Sequence, residues 1–354
     1  MIKKALPSLI AIIIGLLVGV FIITFTNLEV FQESIPKFLL GPFNRGLTGF
    51  GDLFYYALPL IMTGLSVAFA YQTGLFNIGA SGQFLFGGFL AIVISHKLKS
   101  VLPNEIMWLF AMILAAFGGA LMGSIVGALK AYRNVNEVIT CIMLNYISMY
   151  TVNHLIKKWK VYNQLKNQTV DIKAAIPKLG IDKLFPGTIA GGGILIAILL
   201  VILLHILLNK TTFGFEVRGV GLNRHAAQYA GINENKAIIL SMAISGGLAG
   251  IAGAMLYLSG AGTAISIVEV LPSEGFDGIA VALLGLSEPF GVLLSALFIA
   301  YVKMGGQAIQ TLGFAPELTN MIIAFILYVS ALSLFFRKIL SKRSKKLPKE
   351  VNNG

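Results

Sequence analysis

The chain has 354 residues, of which 56% are hydrophobic and only 12% charged, and its mean hydropathy is +0.84. No water-soluble fold of this size uses that much apolar surface, so the sequence describes a polytopic membrane protein. The formal net charge of +12 is uneven along the chain, and a single cysteine, Cys141, excludes an internal disulfide and a multi-cysteine metal site.

Lys3 and Lys4 precede about twenty apolar residues with no small-residue cleavage site before Asn27, which predicts an uncleaved first span with the N-terminus inside. Segment 27–52, with Pro36, Pro42 and several glycines, reads as an external loop. Further apolar runs at 53–72, 82–95, 106–129, 135–154, 189–208, 237–259, 276–287, 290–303 and 316–336 complete an all-α fold of about ten transmembrane helices. An even number of crossings puts both termini on the cytoplasmic side. Lys130 and Arg133, in a tight link between spans, agree with that side, as does the tail. Residues 337–354 carry Arg337, Lys338, Lys342, Arg343, Lys345, Lys346 and Lys349 against Glu350, a basic anchor at anionic lipid rather than a nucleic-acid arm. The second external loop, 155–188, holds Lys157, Lys158, Lys160, Lys166, Lys173, Lys178 and Lys183, which oppose the positive-inside rule. The expected membrane-embedded body is thus 1–336, followed by the tail.

Two stretches break the apolar pattern inside the expected membrane region: Gly74 to Gln83 and Pro272 to Gly278. Glycine, proline and polar side chains survive at that depth only where they face protein or a water-filled cavity. A broken, glycine-rich element followed by a short helix in each half is the pattern of a transporter with internal repeats. Asn77, Ser81 and Gln83 in the first break, and Glu274 and Asp277 in the second, are therefore candidates for a translocation pathway. The two acids are equally consistent with ordinary first-turn carboxylates. On the fifth span Glu137, Cys141, Asn145 and Ser148 share one helix face. A mid-membrane amide such as Asn145 needs a helix partner or a wet pathway, and it joins the candidates. Glu137, in the first turn, is explained by capping and the helix dipole as well as by a pathway.

The polar stretch 209–236 lies between two long apolar runs and must face water. Asn223 suits an N-cap and Gly231 a C-terminal stop, so the residues between predict about two helical turns. Ala226, Ala227 and Ala230 give that helix a slim face, and two turns alone need a partner surface. Two enzyme signals are weak. Gly79-Ala80-Ser81-Gly82 matches the nucleophile setting of rhomboid-type intramembrane proteases, but His96, His154, His205 and His225 sit at loop or span edges. They also have no metal-site spacing. No G-x-x-x-x-G-K-[ST] phosphate loop occurs in the chain.

Four stretches together carry a resemblance: GLFNIGASGQF (74–84), NVNEVITCIMLNYI (134–147), RGVGLNRHAAQYAGI (218–232) and GFDGIAVALLG (275–285). Over residues 55–335 the chain resembles the membrane permeases of ATP-binding-cassette importers in the ribose, branched-chain amino acid and nucleoside group, and within it the nucleoside subgroup. That subgroup carries an N-I-G-x-E-G-Q form of the first stretch, from which this chain departs at Ser81. The resemblance implies a permease of the bacterial cytoplasmic membrane with no catalytic residue and no cofactor of its own. ATP would be bound by separate ATPase subunits. The other partners implied are a second permease chain, identical or homologous, and an external substrate-binding lipoprotein. Residues 209–236 would be the coupling loop that docks on the ATPase, with Arg218, Gly221, Asn223, Arg224, Ala226, Ala227 and Gly231 as its contact residues. The competing expectations are a sugar or branched-chain amino acid permease, a stand-alone secondary transporter or channel, and the protease.

Overall fold

The computed structural model describes residues 2–329 apart from 100, 102 and 173, so the basic tail and the end of the expected span 316–336 lie outside the described residues. The described chain is helical nearly throughout. In order come α1 (Ile2–Thr26), α2 (Phe31–Leu40), α3 (Gly46–Gln72), α4 (Ala80–Lys97), α5 (Asn104–Arg133), α6 (Glu137–Lys158) and α7 (Ile181–Leu184). Then follow α8 (Gly193–Lys210), α9 (Thr212–Leu222), α10 (Arg224–Tyr229), α11 (Glu234–Tyr257), α12 (Ser273–Leu284), α13 (Pro289–Gln310) and α14 (Pro316–Val329). Every apolar run expected to be a span carries a helix. By length and composition, 5 helical stretches among the described residues can cross a membrane: Phe31–Gln72, Glu105–Arg133, Gly193–Lys210, Glu234–Tyr257 and Pro289–Gln310.

Three regions read as loops contain more structure than the sequence announced. Segment 27–52 is mostly helical, through α2, a 3-10 turn at Gly41–Arg45 and the start of α3. Loop 155–188 holds the antiparallel strands β1 (Tyr162–Asn163) and β2 (Gln168–Thr169) besides α7. The stretch 209–236 is two helices, not one: α9 precedes the predicted turn, its start capped by the Thr211 hydroxyl, which accepts from the Gly214 amide at 3.1 Å.

The chain forms two compact units. One comprises residues up to Gly41 and from Val302 onward. In it Gly15 and Gly19 lie against Ile326 and Ile322, and the buried Phe38 backs onto Gly305. The other, Pro42–Tyr301, holds both breaks and is built around α11. Lipid offers no hydrophobic drive for helices to associate, so close van der Waals approach through small residues must supply it. A Cβ added at Gly246 would lie 2.2 Å from the Gly119 carbonyl oxygen of α5, and one at Gly250 2.2 Å from that of Ala115. One at Gly253 would lie 2.1 Å from the Phe84 carbonyl of α4, and Gly87 meets Gly250 from the same side. The seams α11–α5 and α11–α4 therefore leave no room for any side chain larger than hydrogen. On the α3 side, Gly64 receives Val281 and Val292, and Gly278 receives Thr63. Replacing Gly246 with leucine is expected to destabilise this unit by about 3 kcal/mol or more, at the upper end of overpacking costs. The check is a lowered melting temperature of the detergent-solubilised chain, with Gly262→Ala as the strained but uncrowded comparison.

Candidate functional site

The first break begins where α3 ends. Gly74 takes a left-handed turn at φ +74°, and the chain runs through Leu75 and Asn77 into α4. Irregular backbone in an apolar interior leaves polar groups without helix partners, and the Asn145 side chain supplies two of the missing bonds while Asn77 ties the break to its neighbours through side chains. Asn145 on α6 accepts from the Gly82 amide at 2.8 Å and donates to the Ile78 carbonyl at 3.0 Å, so one carboxamide bridges the turn. Asn77 donates to Gln83 Oε1 at 2.8 Å, to Ser245 Oγ on α11 at 2.7 Å and to Ser66 Oγ on α3 at 3.2 Å. Its own oxygen receives Gln83 Nε2 at 3.3 Å and the Cys141 thiol at 3.7 Å. Asn77 is 0% exposed and Asn145 2%. The polar face predicted on α6 thus exists and points into the unit. Ser148 on that face bonds the Leu144 carbonyl at 2.8 Å, and Glu137 pairs with Lys130 at 2.9 Å. The outward face of α6 is apolar and aromatic, with Met143, Tyr146, Ile147 and Tyr150.

The two breaks meet. Ser81 Oγ donates to the Pro272 carbonyl at 2.9 Å, at the N-cap of α12, and a Cβ on Gly275 would fall 2.3 Å from the Ser81 backbone. The serine of the protease-like motif is therefore engaged by a backbone carbonyl and by no histidine. Glu274 and Asp277, both half-buried, occupy the first turns of α12. Glu274 lines an open cleft of about 260 Å³ with Asn153, Tyr257, Ser266, Val270 and Leu271. Beside it the β1–β2 hairpin is stitched to segment 265–268: the Thr169 amide donates to Ile265 and the Ile267 amide to Asn167, each at 2.9 Å. Among the described residues no group of three or more His, Cys, Asp or Glu could hold a metal ion.

At the other end of α11 stands the α9–α10 pair. Asn223 caps α10, accepting from the Ala226 amide at 3.1 Å, and Gly231 ends the turn at φ +81°. Both were predicted. The orientation of the alanines was not: Ala227 is 4% exposed and packs in a cluster with Val220, Leu75, Cys141 and Met242, while Ala226 and Ala230 face outward. Arg224 pairs with Glu234 at 2.6 Å and Arg218 donates to Asn209 at 3.2 Å, so both arginines are engaged within the chain. The outer surface is carried by Leu222 and Tyr229, 88% and 95% exposed, and by Phe215. Gly221 rests on the inner end of the first break; a Cβ there would lie 2.2 Å from the Gln72 carbonyl.

The sequence reading missed three residues that matter here. Ser66 and Ser245 read as ordinary span residues, yet they are the partners of Asn77 and bond each other at 3.0 Å. Asp52, taken as the end of a loop, is buried. It accepts from Arg45 at 2.8 Å and from the Thr188 hydroxyl and the Ile189 amide at 3.0 Å each. A lone acid bordering an apolar run was the available signal, since such a group needs partners.

Residues 49–331 match the family described as the permease component of branched-chain amino acid transport systems. The guanosine ABC transporter permease protein NupP of Bacillus subtilis (strain 168) is 36% identical over 351 residues, covering 96% of this chain and 97% of its own. The nucleoside ABC transporter permease protein NupB of Lactococcus lactis subsp. cremoris (strain MG1363) is 32% identical, over 96% and 94%. The glucose ABC transporter permease protein TsgB13 of Haloferax volcanii is 28% identical, over 86% and 83%.

Because Asn145 satisfies one amide and one carbonyl of the break, Asn145→Leu should strand both, at about 1–3 kcal/mol for each buried group left unpaired. The expected result is a lower melting temperature together with lost transport. A stable Asn145→Leu protein would show that the break finds other partners.

Proposed function

Because the chain belongs to the permease family of branched-chain amino acid transport systems, a family of membrane transport subunits and not of enzymes, we propose that it forms the membrane pathway of an ATP-binding-cassette importer for nucleosides. The observation that carries the solute class is that likeness to nucleoside permeases runs over nearly the whole chain at more than 30% identity. A glucose permease is alike over less of it, at lower identity. In this reading the chain crosses the bacterial cytoplasmic membrane about ten times with both termini inside. Segments 27–52 and 155–188 face outward, 209–236 and the tail 337–354 face inward, and 1–336 is one permease domain. An external lipoprotein delivers the solute and a second permease chain completes the pathway. ATP is bound by separate ATPase subunits, which agrees with the missing phosphate loop.

The α9–α10 pair is the ATPase docking surface. Its capped short helix and exposed Leu222 and Tyr229 support that role, since large apolar groups standing in water are characteristic of anchors for a partner. Asn223, Ala226 and Gly231 shape that surface, while Arg218, Arg224, Gly221 and Ala227 seat it on the rest of the chain. Of the pathway candidates, Asn77, Ser81, Gln83 and Asn145 hold the breaks together, Glu274 stands at the edge of open space, and Asp277 follows it within the same turn of α12.

The deciding experiment is co-purification from native membrane, followed by ATP-dependent uptake of labelled guanosine in proteoliposomes with the attached subunits. Uptake by this chain alone, without an ATPase, would return it to the stand-alone transporters. The double variant Leu222→Asp, Tyr229→Ala should leave membrane abundance unchanged while lowering ATPase co-purification at least tenfold, as loss of two anchors implies. Ala227→Leu, by contrast, should lower the stability of the permease itself, because that side chain faces its own core.

A further inference from the structure

We propose that the cleft between α12 and the C-terminal end of α11 is a solute site that reads the ribose diol, with the Glu274 carboxylate as its acceptor. This deepens the nucleoside reading and rests on it. The first observation is polar supply. Glu274 lines the cleft half-buried, and no described residue donates a hydrogen bond to it or pairs with it. Three other acids of this unit that are buried or half-buried are engaged, Asp52 with Arg45, Glu137 with Lys130 and Glu234 with Arg224, while the half-buried Glu216 on α9 shares the lack of a partner among the described residues but lines no cleft. A carboxylate taken partly out of water without donors is costly, and a ligand that brings donors relieves that cost. The Tyr257 hydroxyl beside it likewise has no partner among the described residues, while its ring is fixed against Gly88 and Phe84. Asn153 spends its amide on the Val268 carbonyl at 2.9 Å and keeps its oxygen for another donor.

The second observation is the character of the walls. Val270, Leu271 and their apolar neighbours make up most of the lining, and its one charge is negative. An amino acid would bring an ammonium for Glu274 but also a carboxylate that no cation in the lining meets. A nucleoside is uncharged and brings a planar base with apolar faces and two adjacent hydroxyls, and a carboxylate, with two acceptor oxygens, takes both. The volume, about 260 Å³, lies near the lower bound of about 300 Å³ for small-molecule pockets, the range a solute of nucleoside size needs.

The third observation is position. Tyr257 and Glu234 close opposite ends of the 24-residue α11, so the cleft lies about 34 Å from the α9–α10 surface. Its floor is the N-terminus of α12, a helix of 12 residues whose start is held to Ser81 in the first break. A bound solute would touch the junction of the two breaks directly.

The test uses the complete importer, with its lipoprotein, both permeases and the ATPase, in proteoliposomes. Uptake of guanosine and 2′-deoxyguanosine is measured for wild type, Glu274→Gln and the exposed neighbour Glu269→Gln. All preparations share one lipoprotein, so any change in preference belongs to this chain. Glu274→Gln is expected to lower kcat/KM for guanosine on the order of tenfold, the worth of a hydrogen bond to a charged group. The preference for guanosine over its deoxy analogue should shrink, and lipoprotein-stimulated ATP hydrolysis and Glu269→Gln should remain within twofold of wild type. An unchanged preference, or a loss of ATP hydrolysis in step with uptake, overturns the assignment, the latter by making Glu274 a structural residue. Wild-type complex that takes up neither nucleoside overturns the nucleoside reading itself, and the assignment with it.

Discussion

The arrangement depends on one constraint: a helix broken inside an apolar interior must find hydrogen-bond partners for the backbone it exposes. One carboxamide meets it, and a second fastens the break to the helices around it. Asn145 reaches from α6 to bridge Ile78 and Gly82, and Asn77 gathers Gln83, Ser66 and Ser245 from three other directions. In a low-dielectric interior each such bond is stronger than at the surface, and each unmade one is correspondingly costly. The break is consequently a specified structure rather than a loose one. Its geometry determines where Ser81 stands, and Ser81 in turn locates the start of α12.

From that junction the unit divides into a stiff part and a part with open space. The stiff part is α11 with α5 and α4, where backbones approach through glycine on both sides. The open part is the cleft at the far end of α11, lined in part by segment 264–268, to which the β1–β2 hairpin is bonded. The α9–α10 pair lies at the opposite end, its inward side continuous with the cluster around Leu75 and Cys141 and its outward side bare. A permease needs such a division: rigid bodies to move and clefts that change as they do.

Much of this was legible in the sequence because composition and spacing carry it. Apolar runs located the helices, the two glycine-rich interruptions located the breaks, and the Asn223 and Gly231 pair located α10. What stayed hidden depends on neighbours distant in sequence. Asn145 could be recognised as an amide needing a partner, but the partner is a turn some sixty residues away that only the fold brings near. Ala227 shares its small size with Ala226 and Ala230, and nothing local says which of the three faces inward. Helix α9 escaped notice because Gly214, Gly219 and Gly221 resemble loop residues. Two of them are glycine because backbone passes at that point: Gly214 lies against the Leu207 and Leu208 carbonyls and Gly221 against Gln72. At Gly221 a weak local preference yields to a close tertiary approach, and at Gly214 to the tight turn out of α8.

That last contact has a mechanical consequence. Where Gly221 meets Gln72 and Gly74, main chain touches main chain with no side chain between them. A side chain in such a joint would have rotamers to hop between and would absorb a push as a soft spring does. Here that cushion is missing, and a shift of α9 toward α3 would press directly on the backbone of the turn that begins the first break.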